Sequence, residues 1–188
     1  MGRFMNHKKW VVALALIATA LILTHLPVSE ADAAASASDF QIEGSTLTKY
    51  RGSDERVTIP DTVEVVGESA FENNQKVQFV VVPKSVKRLD AYVFWGCNNL
   101  EEVVLGKGLT SVDEYAFSGC TGLKQITIPE NVQSIDVQAF AGCTNLTDIY
   151  IPDTVTSIAD DAFLNCDNVT IPVSYTHLRA HETPEHLV

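Results

Sequence analysis

The sequence predicts a β-solenoid, because its residues repeat with a fixed period of 23 over most of the chain. A fixed period in this range is typical of a chain that winds into stacked coils. In each period a phenylalanine is followed after three residues by a cysteine, or by Asn74 in the first period, and after six residues by an aliphatic residue. A proline follows each short apolar stretch except the third, where Gly106 stands. The phenylalanines are Phe71, Phe94, Phe117, Phe140 and Phe163; the cysteine positions are Asn74, Cys97, Cys120, Cys143 and Cys166; the turn residues are Pro60, Pro83, Gly106, Pro129 and Pro152.

Residues 1–33 have the pattern of an export signal. Three basic residues precede an apolar run, and Ala31-Asp32-Ala33 provides the small-x-small site that signal peptidase cleaves. The apolar run is shorter than a membrane-spanning helix requires. We expect cleavage after Ala33, with cleavage after Ala37 and a retained membrane anchor as the alternatives. The mature chain is then secreted and does not insert into a membrane.

Residues 34–56 are expected to form a linker and a β-hairpin. The stretch 39–50 alternates apolar and polar residues on both sides of Gly44-Ser45, which has the composition of a tight turn. A solenoid exposes an apolar end unless a terminal segment covers it. We therefore expect this hairpin to cap five full repeats over 57–172, and a separate binding hairpin is the alternative.

One repeat can be followed from Ile126. Ile126-Thr127-Ile128 alternates as a short strand does, with the two isoleucines inward. Pro129 ends the strand because it has no N–H for a ladder. A short 3₁₀ or helical turn then brings Phe140 into the core. Stacking such repeats forms one parallel sheet, and each repeat is stable only when a neighbour covers it.

The four cysteines fall at one position of successive coils. Stacking would place their side chains in a column and parallel to one another, an arrangement that cannot close a disulfide without strain. The sequence therefore predicts free, buried thiols with a packing role, and predicts no metal or cofactor at them.

The repeat pattern Ile-x-Ile-Pro-x-x-Val-x-x-Ile-x-x-x-Ala-Phe-x-x-Cys-x-x-Leu resembles the BspA-like leucine-rich repeats of bacterial surface proteins. The resemblance extends over about 39–172. It implies a right-handed leucine-rich repeat solenoid that is secreted or associated with the cell wall and binds host or bacterial partners. Three residues depart from the pattern: Asn74 replaces Cys, Gly106 replaces Pro, and Val93 replaces the Ala before Phe94. Gly106 should leave its turn looser.

The candidate binding residues are those expected to point outward from the strands. They change from repeat to repeat, whereas the inward residues barely change, and several are apolar or aromatic. Such residues could form an exposed patch for a partner, although isolated outward apolar residues are also common without any role. The predicted face consists of Thr58, Phe79, Val81, Glu102, Val104, Gln125, Thr127, Asp148 and Tyr150, together with Trp95.

Charge and composition argue against nucleic acid and against catalysis. The chain has 24 acidic and 13 basic residues, and without residues 1–33 the balance is 22 to 10, a net charge of −12. Nucleic-acid binding requires the opposite sign. No histidine occurs between Ala34 and Val173, so Ser–His and Cys–His catalysis has no base there. We expect a monomeric protein that is not an enzyme, has no cofactor, and binds a protein or a surface glycan.

Residues 173–188 break the repeat. His177 and His181 have the spacing of two metal ligands on one helix face. The stretch 173–183, however, resembles a translated sequencing adaptor. We therefore expect a non-native or disordered tail and no metal site.

Together these features predict a secreted or cell-surface, adhesin-like leucine-rich repeat protein that binds partners through its solenoid surface. The first alternative is a targeting module of a larger secreted enzyme whose catalytic domain is missing from this chain. The second alternative is a structural spacer without a specific ligand.

Overall fold

The computed structural model describes residues 35–169, and these wind into a β-solenoid, which confirms the predicted fold class. The expectations for residues 1–33 and 173–188 lie outside the described part of the chain. After a 3₁₀ turn at Ala37–Asp39, every element is a short strand. The strands are β1 (Phe40–Glu43), β2 (Thr46–Tyr50), β3 (Arg56–Thr58), β4 (Val65–Val66), β5 (Phe79–Val81), β6 (Arg88–Leu89), β7 (Glu102–Val104), β8 (Ser111–Val112), β9 (Gln125–Thr127), β10 (Ser134–Ile135), β11 (Asp148–Tyr150) and β12 (Ser157–Ile158).

The strands that open successive repeats form a five-stranded parallel sheet in the order β11-β9-β7-β5-β3. We number the coils 1 to 5 from these strands, so that β3 opens coil 1 and β11 opens coil 5. Each strand pairs with the residue 23 positions away, as in Val57 opposite Val80. The central residue of every strand is buried and both flanking residues point outward, because successive strand side chains face opposite sides.

A second side of the solenoid is also parallel β-structure, which the prediction of a single sheet did not include. The hairpin strands β1 and β2 and the two-residue strands form the orders β1-β2-β4-β6 and β8-β10-β12. The hairpin β1–β2 is antiparallel, and it turns at Gly44 with φ of +63°. Strand β2 then pairs in parallel with β4, so Leu47 lies opposite Val66. The predicted hairpin cap is thus continuous with this second side.

The turns that carry the phenylalanines are not helical, in contrast to the prediction. In coil 3 the amides alternate: Phe117 N–H donates to Ala139 O of the next coil at 2.8 Å, whereas Ser118 N–H donates to Tyr115 O within the turn at 3.1 Å. A helix would use every amide within its own turn. Here every second amide holds the next coil instead, and two residues per turn take positive φ, from +52° to +74°. These residues are Ser69, Tyr92, Tyr115, Gln138 and Asp161 before the phenylalanines, and Asn73, Gly96, Gly119, Gly142 and Asn165 after them.

The core is built on a column of stacked aromatic rings. Phe117 is fully buried, and its ring centroid lies 5.2 Å from those of both Phe94 and Phe140. Tyr50 of the cap stacks on Phe71 at 5.0 Å and so continues the column to the first coil. At the other end Phe163 packs on Phe140 and is only partly buried. The cap therefore covers the apolar end of coil 1, as expected.

The cysteines are free and buried, as predicted. Each Sγ donates to the carbonyl oxygen of the phenylalanine of the preceding coil at 3.0–3.2 Å. Asn74 is half-buried, and its Oδ1 accepts from the amides of Lys76 and Val77. The column position therefore serves to satisfy backbone groups at the turn, through a thiol donor in four coils and an amide acceptor in the first.

Coil 3 is the irregular coil, which supports the expectation of a looser turn at Gly106. The turn bond from Leu109 N–H to Gly106 O is 3.4 Å, against 2.9 Å from Val63 N–H to Pro60 O in coil 1. Within residues 35–169, the second side has no ladder between β6 and β8. The parallel pairing of β7 with β9 also extends over fewer residues than that of β5 with β7.

Candidate partner-binding surface

Nine of the ten predicted site residues lie together on the outer side of the five-stranded sheet. The parallel register arranges them in two columns, one at the first and one at the third residue of each strand. We call this surface the strand face. It consists of Arg56, Phe79, Glu102, Gln125 and Asp148 in the first column and Thr58, Val81, Val104, Thr127 and Tyr150 in the third.

Arg56 belongs to the strand face and was missed by the sequence reasoning. Its guanidinium lies over the ring of Phe79, with 4.4 Å from Cζ to the ring centroid. A contact of this kind contributes about 0.5–1 kcal/mol at an exposed site. Arg56 precedes Phe79 by one period of 23, so its position in the sequence could have revealed it.

The apolar members of the strand face are exposed to different degrees. Val104 is 38% exposed, whereas Phe79, Val81 and Tyr150 are half-buried. Tyr150 O–H donates to Glu130 Oε1 at 3.2 Å, and burial followed by the nearby Glu130 charge raises the pKa of this phenol. The face therefore offers aromatic and aliphatic surface with a phenol that is protonated and held in place.

Trp95 lies outside the sheet, in the phenylalanine turn of coil 2. It is 38% exposed and packs edge-on against Tyr92, with 6.5 Å between ring centroids. Tyr92 in turn stacks on Tyr115 of the next coil at 4.9 Å. The structure therefore separates Trp95 from the other nine predicted residues and places it in a second aromatic cluster, whose tyrosines are also one period apart in the sequence.

The outward positions of the second side differ from the strand face in composition. They are the first residues of the two-residue strands, and three of the five are serine. The set is Val65, Arg88, Ser111, Ser134 and Ser157. The second side thus carries Val65 and Arg88 in its first two coils and serine in the last three, whereas every strand of the strand face carries at least one large side chain.

Cys97 and Cys120 do not provide a nucleophile. Burial raises the pKa of Cys97 to about 12 and also raises the pKa of Cys120. A thiol with such a pKa stays protonated at neutral pH, and only the thiolate is strongly nucleophilic. Within residues 35–169, no group of three His, Cys, Asp or Glu side chains is arranged to hold a metal ion.

None of the helices in the described part of the chain has the length and hydrophobicity to span a membrane. The carboxylate of Glu101, directly before β7, is solvated. Lys124 Nζ and Glu101 Oε2 form an ion pair at 2.6 Å, and both side chains are more than half exposed. Exposed pairs of this kind stabilise a protein little.

Several solved structures have the same fold. A leucine-rich repeat protein of Treponema pallidum is 26% identical, with a TM-score of 0.73 over 77% of this chain and 73% of that one. A leucine-rich cell surface protein of Faecalibacterium prausnitzii is 33% identical, with a TM-score of 0.68 over 76% of this chain and 39% of that one. The pneumococcal vaccine antigen PcpA, 18% identical with a TM-score of 0.61 over 79% of this chain and 36% of that one, supports the fold alone.

No curated protein sequence matches the chain significantly. The sequence model of the BspA type leucine-rich repeat region matches residues 45–170 in six copies. The match begins at the turn before β2, which the structure shows to be continuous with the second side of the coils. Repeats of this kind are typically non-catalytic and mediate protein interactions. Because the match covers more than half of this chain, the chain belongs to the family of BspA type leucine-rich repeat proteins.

Proposed function

We propose that this protein is secreted or displayed on the cell surface and binds a protein partner through the strand face. The observation that carries the proposal is the contrast between the two parallel sides of the same coils. Large and varied side chains occupy the outward positions of the five-stranded sheet, whereas serine recurs on the second side. Outward side chains do not fill the core, so the large and varied residues of the strand face are available to a partner.

The chemistry of the strand face suits a protein partner. Val104 offers exposed apolar surface, Tyr150 an aromatic ring with a polar end, and Arg56 a planar cation that already rests on an aromatic ring. Tyrosine and arginine are enriched among the residues that dominate protein–protein binding energy. Glu102 and Asp148 add charge that would favour partners with basic groups at matching positions.

Two observations support an extracellular location. Residues 1–33 have the pattern of a cleaved export signal. The F. prausnitzii protein, which is 33% identical to this chain over the aligned residues, is described as a cell surface protein. A surface location is also consistent with free thiols that are buried and therefore protected from oxidants.

Site-directed photo-crosslinking tests the proposal, because it captures a partner whose identity is unknown. The four native thiols are 0–7% exposed, so a maleimide crosslinker reacts selectively with one new surface cysteine. Val104→Cys places the crosslinker on the strand face, and Ser134→Cys places it on the second side as the matched control. Each labelled protein is illuminated with extracellular proteins from the host and from neighbouring bacteria.

The expected result is a crosslinked protein band that appears with Val104→Cys, saturates with partner concentration, and disappears when unlabelled protein competes. Ser134→Cys should give no such band. Equal bands from both positions, or a saturable band from Ser134→Cys alone, would show that the strand face is not the binding surface. No saturable band from either position would favour a structural spacer.

A further inference from the structure

The turns that follow β3, β5 and β7 form a pocket beside the strand face. It is a shallow groove, largely open to solvent, with a volume of about 460 Å³. The pocket extends across coils 1 to 3. Its lining consists of Asp61, Lys84, Ser85, Lys87, Lys107 and Gly108.

The lining is positive although the chain is acidic, with a net charge of −11. Lys84 and Lys107 occupy the same position of adjacent coils, directly after Pro83 and Gly106. Like charges at paired positions of neighbouring strands destabilise a sheet. Within the described part of the chain, neither these two lysines nor Lys87 has a carboxylate within the 4.0 Å of an ion pair. Three lysines and one aspartate leave the lining with two uncompensated positive charges.

A hydroxyl in the lining also lacks a partner. Ser85 Oγ is buried, and no hydrogen-bond partner for it exists among residues 35–169. A buried polar atom without a partner is rare in native proteins and commonly marks the place of a missing ion or water. Because Ser85 Oγ is shielded from solvent, it indicates a bound water at the base of the pocket and not a contact to a ligand within it.

The pocket coincides with the irregular part of the solenoid. Among residues 35–169, the second side has no ladder between β6 and β8, which are the strands of coils 2 and 3 that follow the lining residues. Gly106 stands where the other four coils have proline, and glycine retains the N–H that proline lacks. The sequence departs from its own repeat where the cationic residues gather.

We propose that this pocket binds a dianionic oxyanion group, a phosphate monoester or a sulfate, carried by a small molecule or a saccharide. Two uncompensated positive charges match the charge of such a group. Lysine ammonium groups bind phosphate oxygens as compact point charges. The inference does not depend on the strand face or on the identity of its partner.

Anion titrations followed by ¹H–¹⁵N NMR test the inference. Inorganic phosphate and sulfate are added to the purified protein at pH 7.5, with sodium chloride of equal ionic strength as the reference. We expect saturable shifts of the amides of Ser85, Lys107 and Gly108 with both dianions and none with chloride. Glucose 6-phosphate is the second probe. Tighter binding than inorganic phosphate identifies a carried group as the ligand, and equal binding identifies the free ion.

Two variants and one control separate this site from general electrostatic attraction. Lys107→Gln should weaken phosphate binding at least fivefold, since it removes one of three charges at the site. Ser85→Ala should leave the affinity for phosphate within twofold and the unfolding transition unchanged or raised, because it removes an unsatisfied hydroxyl that is shielded from the groove. Lys76→Gln, an equal charge change in an exposed turn away from the lining, should leave the affinity within twofold. Equal loss in Lys107→Gln and Lys76→Gln, or dianion shifts no larger than those of chloride, would overturn the inference.

Discussion

The aromatic column allows a quantitative test of how the coils support one another. Phe117 is fully buried, with a ring stacked on each face at 5.2 Å. Phe163 is partly buried and, among residues 35–169, stacks only on Phe140, at 5.3 Å. Truncation of a fully buried phenylalanine costs about 3–5 kcal/mol. With both ring faces covered, Phe117→Ala should lower the free energy of unfolding by about 4 kcal/mol. With one face covered, Phe163→Ala should lower it by about 2 kcal/mol.

Urea unfolding measures both costs. Trp95 fluorescence follows coil 2 and far-UV circular dichroism follows the whole solenoid, and coincident transitions would justify a two-state treatment. Phe163→Ala is the matched control, because it removes the same atoms from the same position of another coil. A Phe163→Ala cost equal to or larger than that of Phe117→Ala would refute the reasoning. So would a Phe117→Ala cost below about 1 kcal/mol, which is less than any buried phenylalanine should contribute.

Two further predictions concern the thiol column and coil 3. Burial raises the pKa of Cys97 from 9.0 to about 12, so its contribution to stability is complete below pH 9 and is lost as the pH rises towards 12. The urea concentration at the unfolding midpoint should therefore decrease as the pH is raised from 9 to 11, and it should decrease less steeply in Cys97→Ala. A midpoint that increases over this range would contradict the reasoning. Gly106→Pro restores the repeat consensus but should destabilise the protein by about 1–3 kcal/mol, because a Cβ at Gly106 would overlap the carbonyl oxygen of Pro83. Gly119→Ala is the comparison. Gly119 has φ of +74°, and the nearest atom to an added Cβ is 3.6 Å away, so this change should cost only the backbone strain of about 1–2 kcal/mol. A higher melting temperature for Gly106→Pro would contradict the steric argument.

The coil and its core could be predicted from sequence because burial imposes one residue type at each position of the period. Phe117 and Cys120 recur at a fixed interval in the coils before and after them, and the structure buries both. The cap was also predictable, since alternation around Gly44 is a local pattern. The stacking of Tyr50 of the cap on Phe71 was not predictable, because Tyr50 lies 21 residues before Phe71 and so falls outside the period.

Other features depend on contacts between coils that no local pattern encodes. The second side consists of two-residue strands such as Ser134–Ile135, too short for alternation to be detected. The alternating amides of the phenylalanine turns require positive φ at residues such as Tyr115, whose type does not predict that conformation. The composition of the strand face could be anticipated from outward positions, but the packing of Trp95 against Tyr92 could not, because it depends on the positive φ of Tyr92. The pocket depends on the spacing of three neighbouring turns and was not foreseen.

The most direct test of the central claim is the affinity of the crosslinked partner for two double variants. Val104→Asp with Thr127→Asp adds two charges to the strand face, and Ser134→Asp with Ser157→Asp adds two to the second side. All four positions point outward, so circular dichroism should show both variants folded. We expect the strand-face variant to bind at least tenfold more weakly, a loss of about 1.4 kcal/mol, and the second-side variant to stay within twofold of the parent. Unchanged binding by the strand-face variant, or loss of binding only in the second-side variant, would contradict the central claim.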